Sequence, residues 1–546
     1  MASINRMRSI QLLSSLISII ILLSTNTTWA LNTSSLNAQH ISAIDSICRS
    51  TPYPDVCFSS LKLSIDITIS PSILNFLLQS LQTALSEAGK LASLLTTVAR
   101  PNLIETQRGA VQDCKELHQI TLSSLQKTMY GVKARTARDV ADGRAFLSAA
   151  LTNKETCLEG LDSALGPLKP VIVNSFADAY KHVSNCLSMI SKPAGPFRSG
   201  GRRRLLGWRS RRVLNVDVSE LEPSEMLTVA TDGSGNFSSI MDAVDFAPNN
   251  SDHRTIIYIT QGVYQENVEI PAYKTNIVML GDGSDVTIIT GNRSAGDQWS
   301  TFRSATVAVS GEGFLARDLT FENSAGPQKG QAVALRINAD HAAVYRCTIT
   351  GYQDTLYTHS FRQFYRECEI LGTIDFIFGN AAVIFQASNI VSRIPLLGQF
   401  TVVTAQSRTS SDENTGISIQ NCTFLATDDL YASNVSSFLG RPWRDYSRVV
   451  IIESYIDDFI DQAGWHKWSG DEGLDSLYYG EYANYGPGSD TDSRVDWPGY
   501  HVMDYDDASN FTVTQFITGD EWLYSTSIPY DDGIQSSNPK SGKTHH

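Results

Sequence analysis

No apolar run beyond residue 30 reaches the roughly twenty residues needed to cross a bilayer, which excludes an internal membrane span and argues against stable membrane association. Strand-like alternation is missing between Ile41 and Pro193, and beyond residue 225 helical periods of any length are nearly absent. Two-residue turn signals are few in that second half, which disfavours a sandwich of β-hairpins, the competing all-β architecture. A basic excess is lacking as well: the formal net charge is -14, and no nucleic-acid partner is expected. Cysteine is scarce, eight in 546 residues. The eight divide into Cys48, Cys57, Cys114, Cys157 and Cys186, then Cys347, Cys368 and Cys422, so each half holds at least one unpaired thiol unless a bridge joins the halves.

The first thirty residues read as a secretory signal, with Arg6 and Arg8 before the apolar "IQLLSSLISIIILL" and a small-residue cleavage site at "TWA", ending on Ala30. An uncleaved signal anchor is the alternative, and the apolar run is short for it. Export permits disulfides. Acceptor sequons at Asn32, Asn236, Asn249, Asn292, Asn421, Asn434 and Asn510 fit a secreted glycoprotein.

Residues 31–200 form the first expected domain. Apolar residues at i, i+3, i+4 and i+7 in "PSILNFLLQSLQTALSEAGKLASLLTTV" and "GRAFLSAALTNKETCLEGLDSAL" predict an all-α antiparallel four-helix bundle. Cys48 and Cys57 are close enough to clip an N-terminal hairpin, and Cys114 and Cys157 to tie two long helices, leaving Cys186 unpaired. A Pro-, Gly- and Arg-rich linker follows over 201–225. Its dibasic steps, Arg203-Arg204 and Arg211-Arg212, look like sites for a processing protease of the secretory route; a merely solvated basic linker is the alternative. Up to Arg204 the chain has 21 Lys+Arg against 13 Asp+Glu, and from Leu205 onward 22 against 44, so the halves carry +8 and -22. Opposite charges attract, although salt screens them within about 8 to 10 Å.

Residues 226–546 form the second domain, made of short β-branched runs separated by Gly, Asn and Asp. Within it "YRCTITGY", "YRECEILGT", "FQASNIVSR" and "IQNCTFLAT" are similar, and their aligned Cys347, Cys368 and Ser388 recur after 21 and 20 residues. Units that cannot bury their own apolar faces stack, which predicts a parallel β-helix. Asp354 in "GYQDTLY" and Asp375 in "DFIFGN" are 21 residues apart, one such repeat. They then lie on adjacent coils about 4.8 Å apart. Two carboxylates so close do not both ionise readily, and one is held protonated unless a cation intervenes.

Paired carboxylates also serve retaining glycosidases and calcium sites, so their neighbours must discriminate. Gln331, 23 residues before Asp354, and Gln353 beside it supply amide donors that do not titrate, which suits a tetrahedral oxyanion. Arg441 and Trp443 flank Pro442 in "LGRPW"; an arginine near Asp375 would keep it ionised, and the indole would stack on a sugar face. From the residues alone this points to acyl transfer on a polymer lying along a groove.

"GVYQEN" (262–267), "GQAVAL" (330–335), "GYQDTLY" (351–357), "DFIFGN" (375–380) and "LGRPW" (439–443) resemble the five signature segments of plant pectinesterases, or pectin methylesterases. The resemblance covers about residues 226–535, and the first half resembles the inhibitor domain that precedes many such enzymes. It implies a right-handed parallel β-helix secreted to the cell wall. Its substrate would be methyl-esterified pectin, with an intramolecular inhibitor-like pro-domain restraining activity until cleavage. By the resemblance Asp375 is the nucleophile, Asp354 the acid and then the base, Gln331 and Gln353 the oxyanion donors, and Arg441 the partner of Asp375. Thr301, Gln331, Arg441 and Trp443 look like substrate contacts, and Phe302, Tyr357 and Phe378 like aromatic walls, with Trp465 or Trp468 as a further wall. No metal and no organic cofactor is implied.

One departure stands out. Where the family usually has a cysteine after "DFIFGN", this chain has Ser388, so the expected bridge from Cys368 cannot form and Cys368 is expected to be a free thiol. Two other functional classes compete. A pectin lyase or polygalacturonase would share the solenoid, and a non-catalytic inhibitor or pectin-binding protein would use the helical half as its main product.

Overall fold

The computed structural model describes residues 41–62, 73–98, 104, 106–134, 136–162, 164–191 and 226–534. The signal segment and the linker with both dibasic steps lie outside the described residues. A helical segment over 41–48 and α1 (Pro54–Lys62) are clipped by the Cys48–Cys57 disulfide. Four long helices follow: α2 (Ile73–Val98), α3 (Ala110–Ala134), α4 (Ala137–Asp162) and α5 (Lys169–Ser191). Along α2 the buried residues Leu74, Leu77, Leu81, Ala84, Ala88, Leu91 and Leu95 alternate spacings of three and four, the stripe that lets a helix face a bundle core. Cys114 and Cys157 join α3 to α4 with Cα atoms 4.6 Å apart, and Cys186 is buried and free, as its spacing predicts.

The second half is a right-handed parallel β-helix, the hand that parallel crossovers take almost without exception. Three parallel sheets of eleven, eight and seven strands form its walls, and within each the hydrogen-bonded neighbour is the strand one coil later. The seven-stranded sheet consists of β1 (Val268–Ile270), β2 (Val307–Val309), β3 (Leu335–Asn338), β4 (Leu356–Ser360), β5 (Ile377–Gly379), β6 (Thr401–Gln406) and β7 (Ser437–Gly440). The predicted repeat is the physical one: Thr348 pairs with Glu369, Glu369 with Asn389 and Asn389 with Thr423, so the preceding Cys347, Cys368, Ser388 and Cys422 stack coil upon coil. All three cysteines are buried and free.

Inside the solenoid Ile, Val, Leu and Phe fill one continuous core drawn from residues 229–497, with Tyr365 stacked on Phe385 at 4.8 Å. A second core lies outside the eleven-stranded sheet, where Phe511, Phe516, Trp522 and Leu523 cover Ile256, Val278 and Val450. The helical bundle covers the outward face of the seven-stranded sheet: its core is continuous with Phe302, Ala308, Tyr357, Phe378 and Ala405. Cross-half hydrogen bonds fix the seating, from Asn380 Nδ2 to Thr152 Oγ1 (2.9 Å) and between Thr156 Oγ1 and His359 Nε2 (2.9 Å).

Candidate active site

Asp354 and Asp375 end the turns that lead into β4 and β5. Both adopt left-handed backbone angles, φ 61° and 52°, which non-glycine residues seldom take and which recur at functional sites. They occupy equivalent places on adjacent coils: the Asp354 N–H donates to the Ile374 carbonyl at 3.0 Å, and Leu356 pairs with Ile377. The opening of β7 into "RPW" brings the third group in. Arg441 N–H bonds the Thr404 carbonyl at 2.9 Å, and its guanidinium donates to both carboxylate oxygens of Asp375, at 2.8 Å from Nε and 2.5 Å from Nη2.

The two carboxyls are therefore unequal. Both are buried, at 8% and 4% exposure. Burial, and then the neighbouring Asp375 charge, push Asp354 well above the usual carboxylate range, against a weaker pull from Arg441. Burial raises Asp375 as well, but the Arg441 hydrogen bonds and charge, with a contribution from His466, oppose the rise. Both are raised, but only Asp375 has a guanidinium bonded to it, so Asp354 is pushed further towards its protonated form than Asp375.

A cavity of about 300 Å³ surrounds them. It gathers every site residue expected from the sequence: Thr301, Phe302, Gln331 and Gln353 line it together with Asp354, Asp375 and Arg441, and Tyr357, Phe378 and Trp443 complete its aromatic part. Gln331 and Gln353 sit on neighbouring coils, linked by the Ala332 N–H to the Gln353 carbonyl at 3.1 Å. Tyr357 stacks on Phe378 at 4.1 Å, and Trp443 lies 6.1 Å from Phe378 and 6.3 Å from Trp468. Trp468 is the second indole of the wall, with the Arg441 guanidinium 4.3 Å from its ring. Trp465 is not a wall residue: it is 2% exposed, packs on Tyr479 at 4.3 Å and donates its Nε1–H to Glu481.

Sequence reasoning did not foresee the residues that the helical half places in this cavity. Gln107, Asp113, Thr156, Glu159 and Gly160 line it too. Asp113 accepts from Arg303 Nε at 2.7 Å and from Ser300 Oγ at 2.5 Å, and Glu159 pairs with Arg444. Burial pushes the Glu159 carboxyl up to about 7 despite Arg444. His359, beneath Thr156, is held neutral by burial and by the charge of Arg336. No pattern within one helix announces such contacts, because they depend on how two halves seat.

Away from the cavity, Glu312, Asp340 and His341 bring ligand-type atoms within 4.8 Å of one another. Lys127 already pairs with Glu312, Arg362 donates to Asp340 at 2.6 Å, and burial lowers His341 to about 3, so these groups form an ion-pair network across the two halves.

Residues 226–520 match the family model described as Pectinesterase, and residues 42–189 the one described as Plant invertase/pectin methylesterase inhibitor. The chain is 62% identical to a probable pectinesterase/pectinesterase inhibitor 12 of Arabidopsis thaliana, over 92% of this chain and 95% of that one. It is 44% identical to a pectinesterase/pectinesterase inhibitor of Prunus persica, over 83% and 88% of the two chains. Among solved structures, a pectin methylesterase from carrot superposes with a TM-score of 0.56 at 50% identity, covering 56% of this chain and 98% of that one. The core over 229–497 is built from the solenoid's own residues.

Proposed function

Because the chain belongs to the pectinesterase family, with an inhibitor-type unit ahead of the esterase unit, we propose that it hydrolyses the C6 methyl esters of galacturonosyl units in cell-wall pectin, releasing methanol and pectate. The observation that carries the assignment of roles is the inequality of the two carboxyls: only Asp375 receives the two hydrogen bonds of Arg441.

The Asp375 carboxylate attacks the ester carbonyl, and the oxyanion of the tetrahedral intermediate takes hydrogen bonds from the amides of Gln331 and Gln353. Collapse breaks the bond to the methoxy oxygen, which takes the Asp354 proton and leaves as methanol. The acyl group stays on Asp375 as an anhydride. Asp354, now a carboxylate, removes a proton from water as its oxygen attacks the acyl carbon, and collapse returns Asp375 as carboxylate and the sugar as free acid. Thr301 and Trp443 hold the sugar unit, and Phe302, Tyr357 and Phe378 line its path.

The seated helical half makes the full chain the restrained form, since Thr156 and Glu159 stand in the cavity that the polymer must enter. Export through the signal segment and cleavage after Arg204 or Arg212 would release the enzyme in the wall. The test is methanol release from highly methylated pectin by the 213–546 fragment, beside Asp375→Ala and with a chelator present. Methanol from the wild type alone, indifferent to chelator and without loss of viscosity, is the expected result. No methanol from a folded fragment, or full-length protein as active as the fragment, would refute the esterase or the restraint, respectively.

A further inference from the structure

At the seam between the halves three guanidiniums gather without a carboxylate to pair them. Arg408 follows β6, Arg448 opens the strand Arg448–Ile452 of the eleven-stranded sheet, and Arg144 belongs to α4 of the bundle. One loop holds the two solenoid cations: Arg408 Nε donates to the Glu413 carbonyl at 3.0 Å, and Arg448 Nε donates to the Thr415 carbonyl at 2.7 Å. The bundle reaches the same loop, since Ser191 Oγ at the end of α5 donates to the Asp412 carbonyl at 3.1 Å. Burial, and then the charges of Arg408 and Arg144, pull the Arg448 guanidinium well below its ordinary value, so the three lie within reach of one another's charge.

Arg303, Arg362 and Arg441 each hold a carboxylate, and among the described residues none of these three does. Glu413 is spent elsewhere: it accepts from Thr409 Oγ1 at 2.7 Å and from Asn380 Nδ2 at 2.5 Å, and burial pushes it towards its neutral form. Asp412 acts on Arg144 through its charge without a bond. Arg408 is 8% exposed, and Arg144 Nε and Arg448 Nη2 are buried with no hydrogen-bond partner among the described residues. Charged donors so placed are costly unless an ion or water meets them. The rings of Phe511 and Phe516, 5.6 and 5.4 Å from the Arg448 guanidinium, are a weak substitute.

We propose that Arg144, Arg408 and Arg448 form a binding site for a tetrahedral oxyanion of the phosphate or sulfate class, which bridges the bundle to the solenoid. Cations arriving from a helix, a loop and a strand suit the several oxygens of such an ion, whereas a single guanidinium fork already satisfies a planar carboxylate. Because one of the three comes from α4, the site is complete only while the halves are seated. An ion that binds the seated form alone favours it by about a hundredfold when present at a hundred times its Kd. The site shares no residue with the cavity around Asp354 and Asp375, so the anion acts on the seating and not on the ester.

The test is calorimetric titration of the uncut full-length chain with inorganic phosphate, at constant ionic strength set with chloride. Wild type takes one phosphate per chain, and Arg144→Gln and Arg408→Gln each weaken binding about tenfold. No binding by wild type, or equal binding by both variants, overturns the site. Binding lost in Arg408→Gln but undiminished in Arg144→Gln overturns the bridge, because the bundle then contributes nothing. Arg144 is half-buried and its change breaks no ion pair, so Arg144→Gln decides should Arg408→Gln fail to fold. The second readout is the rise in melting temperature with phosphate. Phosphate stabilises folded chains generally by exclusion from their surface, so the rise is compared between proteins. It is larger in wild type than in Arg144→Gln, and equal rises overturn the proposal.

Discussion

Asp354 and Asp375 are the same residue type on the same face of adjacent coils, and the partner of one of them separates their chemistry. Arg441 is that partner, so its removal should be read in the pH profile as well as in the rate. Without the guanidinium, only the smaller contribution of His466 opposes burial at Asp375, and its pKa rises further. In the proposed mechanism Asp375 must be ionised to attack, so the acidic limb of kcat/KM for methanol release moves to higher pH in Arg441→Gln, beyond a fall in the maximum. An unmoved limb would remove Arg441 from this role. Ser388 gives a second residue-scale prediction. Its Oγ accepts from the Cys368 N–H at 3.1 Å, while Cys422 Sγ accepts from its own N–H at 3.4 Å, so a thiol there has a partner one coil away on either side. Ser388→Cys closes a loop worth roughly 3 kcal/mol in the chain-entropy model, less about 1 kcal/mol for the lost hydroxyl bonds. The melting temperature of the oxidised protein should exceed both that of its reduced form and that of wild type, and equal values would show that neither partner is within reach.

Among the elements, helix α4 carries the restraint, and its Glu159 makes that restraint depend on pH. The carboxyl faces Arg444 across the seam, with Glu155 and Asp162 of its own helix adding like charge. Seated, it titrates at about 7; released into water it returns towards an ordinary carboxylate value of about 4.3. A group whose pKa is raised by docking favours the docked state while it can hold its proton, so this contribution is complete below the unseated value and is lost as pH climbs through about 7. The full-length chain should therefore open, and its methanol release rise relative to the fragment, as pH passes through that window. In Glu159→Gln this rise should flatten. The bundle and the solenoid were legible in the sequence because each rests on a period: the three-four stripe of α2, and the 21- and 20-residue recurrence that stacks Cys347, Cys368 and Ser388. The pairing of the two aspartates was legible for the same reason, since one repeat separates Asp354 from Asp375. The corners were not. Asp318, Arg346, Glu367, Ala387, Asn421, Glu453 and Ala483 all turn with φ between 49° and 57°, and no glycine marks these left-handed positions. Trp465 and Trp468, three residues apart, could not be told apart either, because which indole faces the core depends on the loop path after β7.

For the whole molecule the question is what would hold the halves together if the proposed cleavage cut the linker between them. Part of the seam is apolar, where the floor residues Tyr357, Phe378 and Ala405 join the bundle core, and this part is indifferent to salt. The other part is ionic: Arg303 with Asp113 and Glu116, Arg362 with Asp142, Arg444 with Glu159 and Lys127 with Glu312. Added salt screens the partly exposed pairs and the long-range attraction between halves of +8 and -22. In the uncut chain the linker keeps the bundle at a high effective concentration over the groove, and salt changes little. After cleavage the same loss of attraction allows dissociation on dilution. Methanol release by cut protein should then rise with ionic strength while uncut protein stays low. A fully methylated, uncharged oligomer must be the substrate, since salt also weakens the hold of any cationic groove on a polyacid. If cut protein were equally active at every salt concentration, the apolar floor alone would govern the seam, and the opposite charges of the halves would be two solvated surfaces with no part in the restraint.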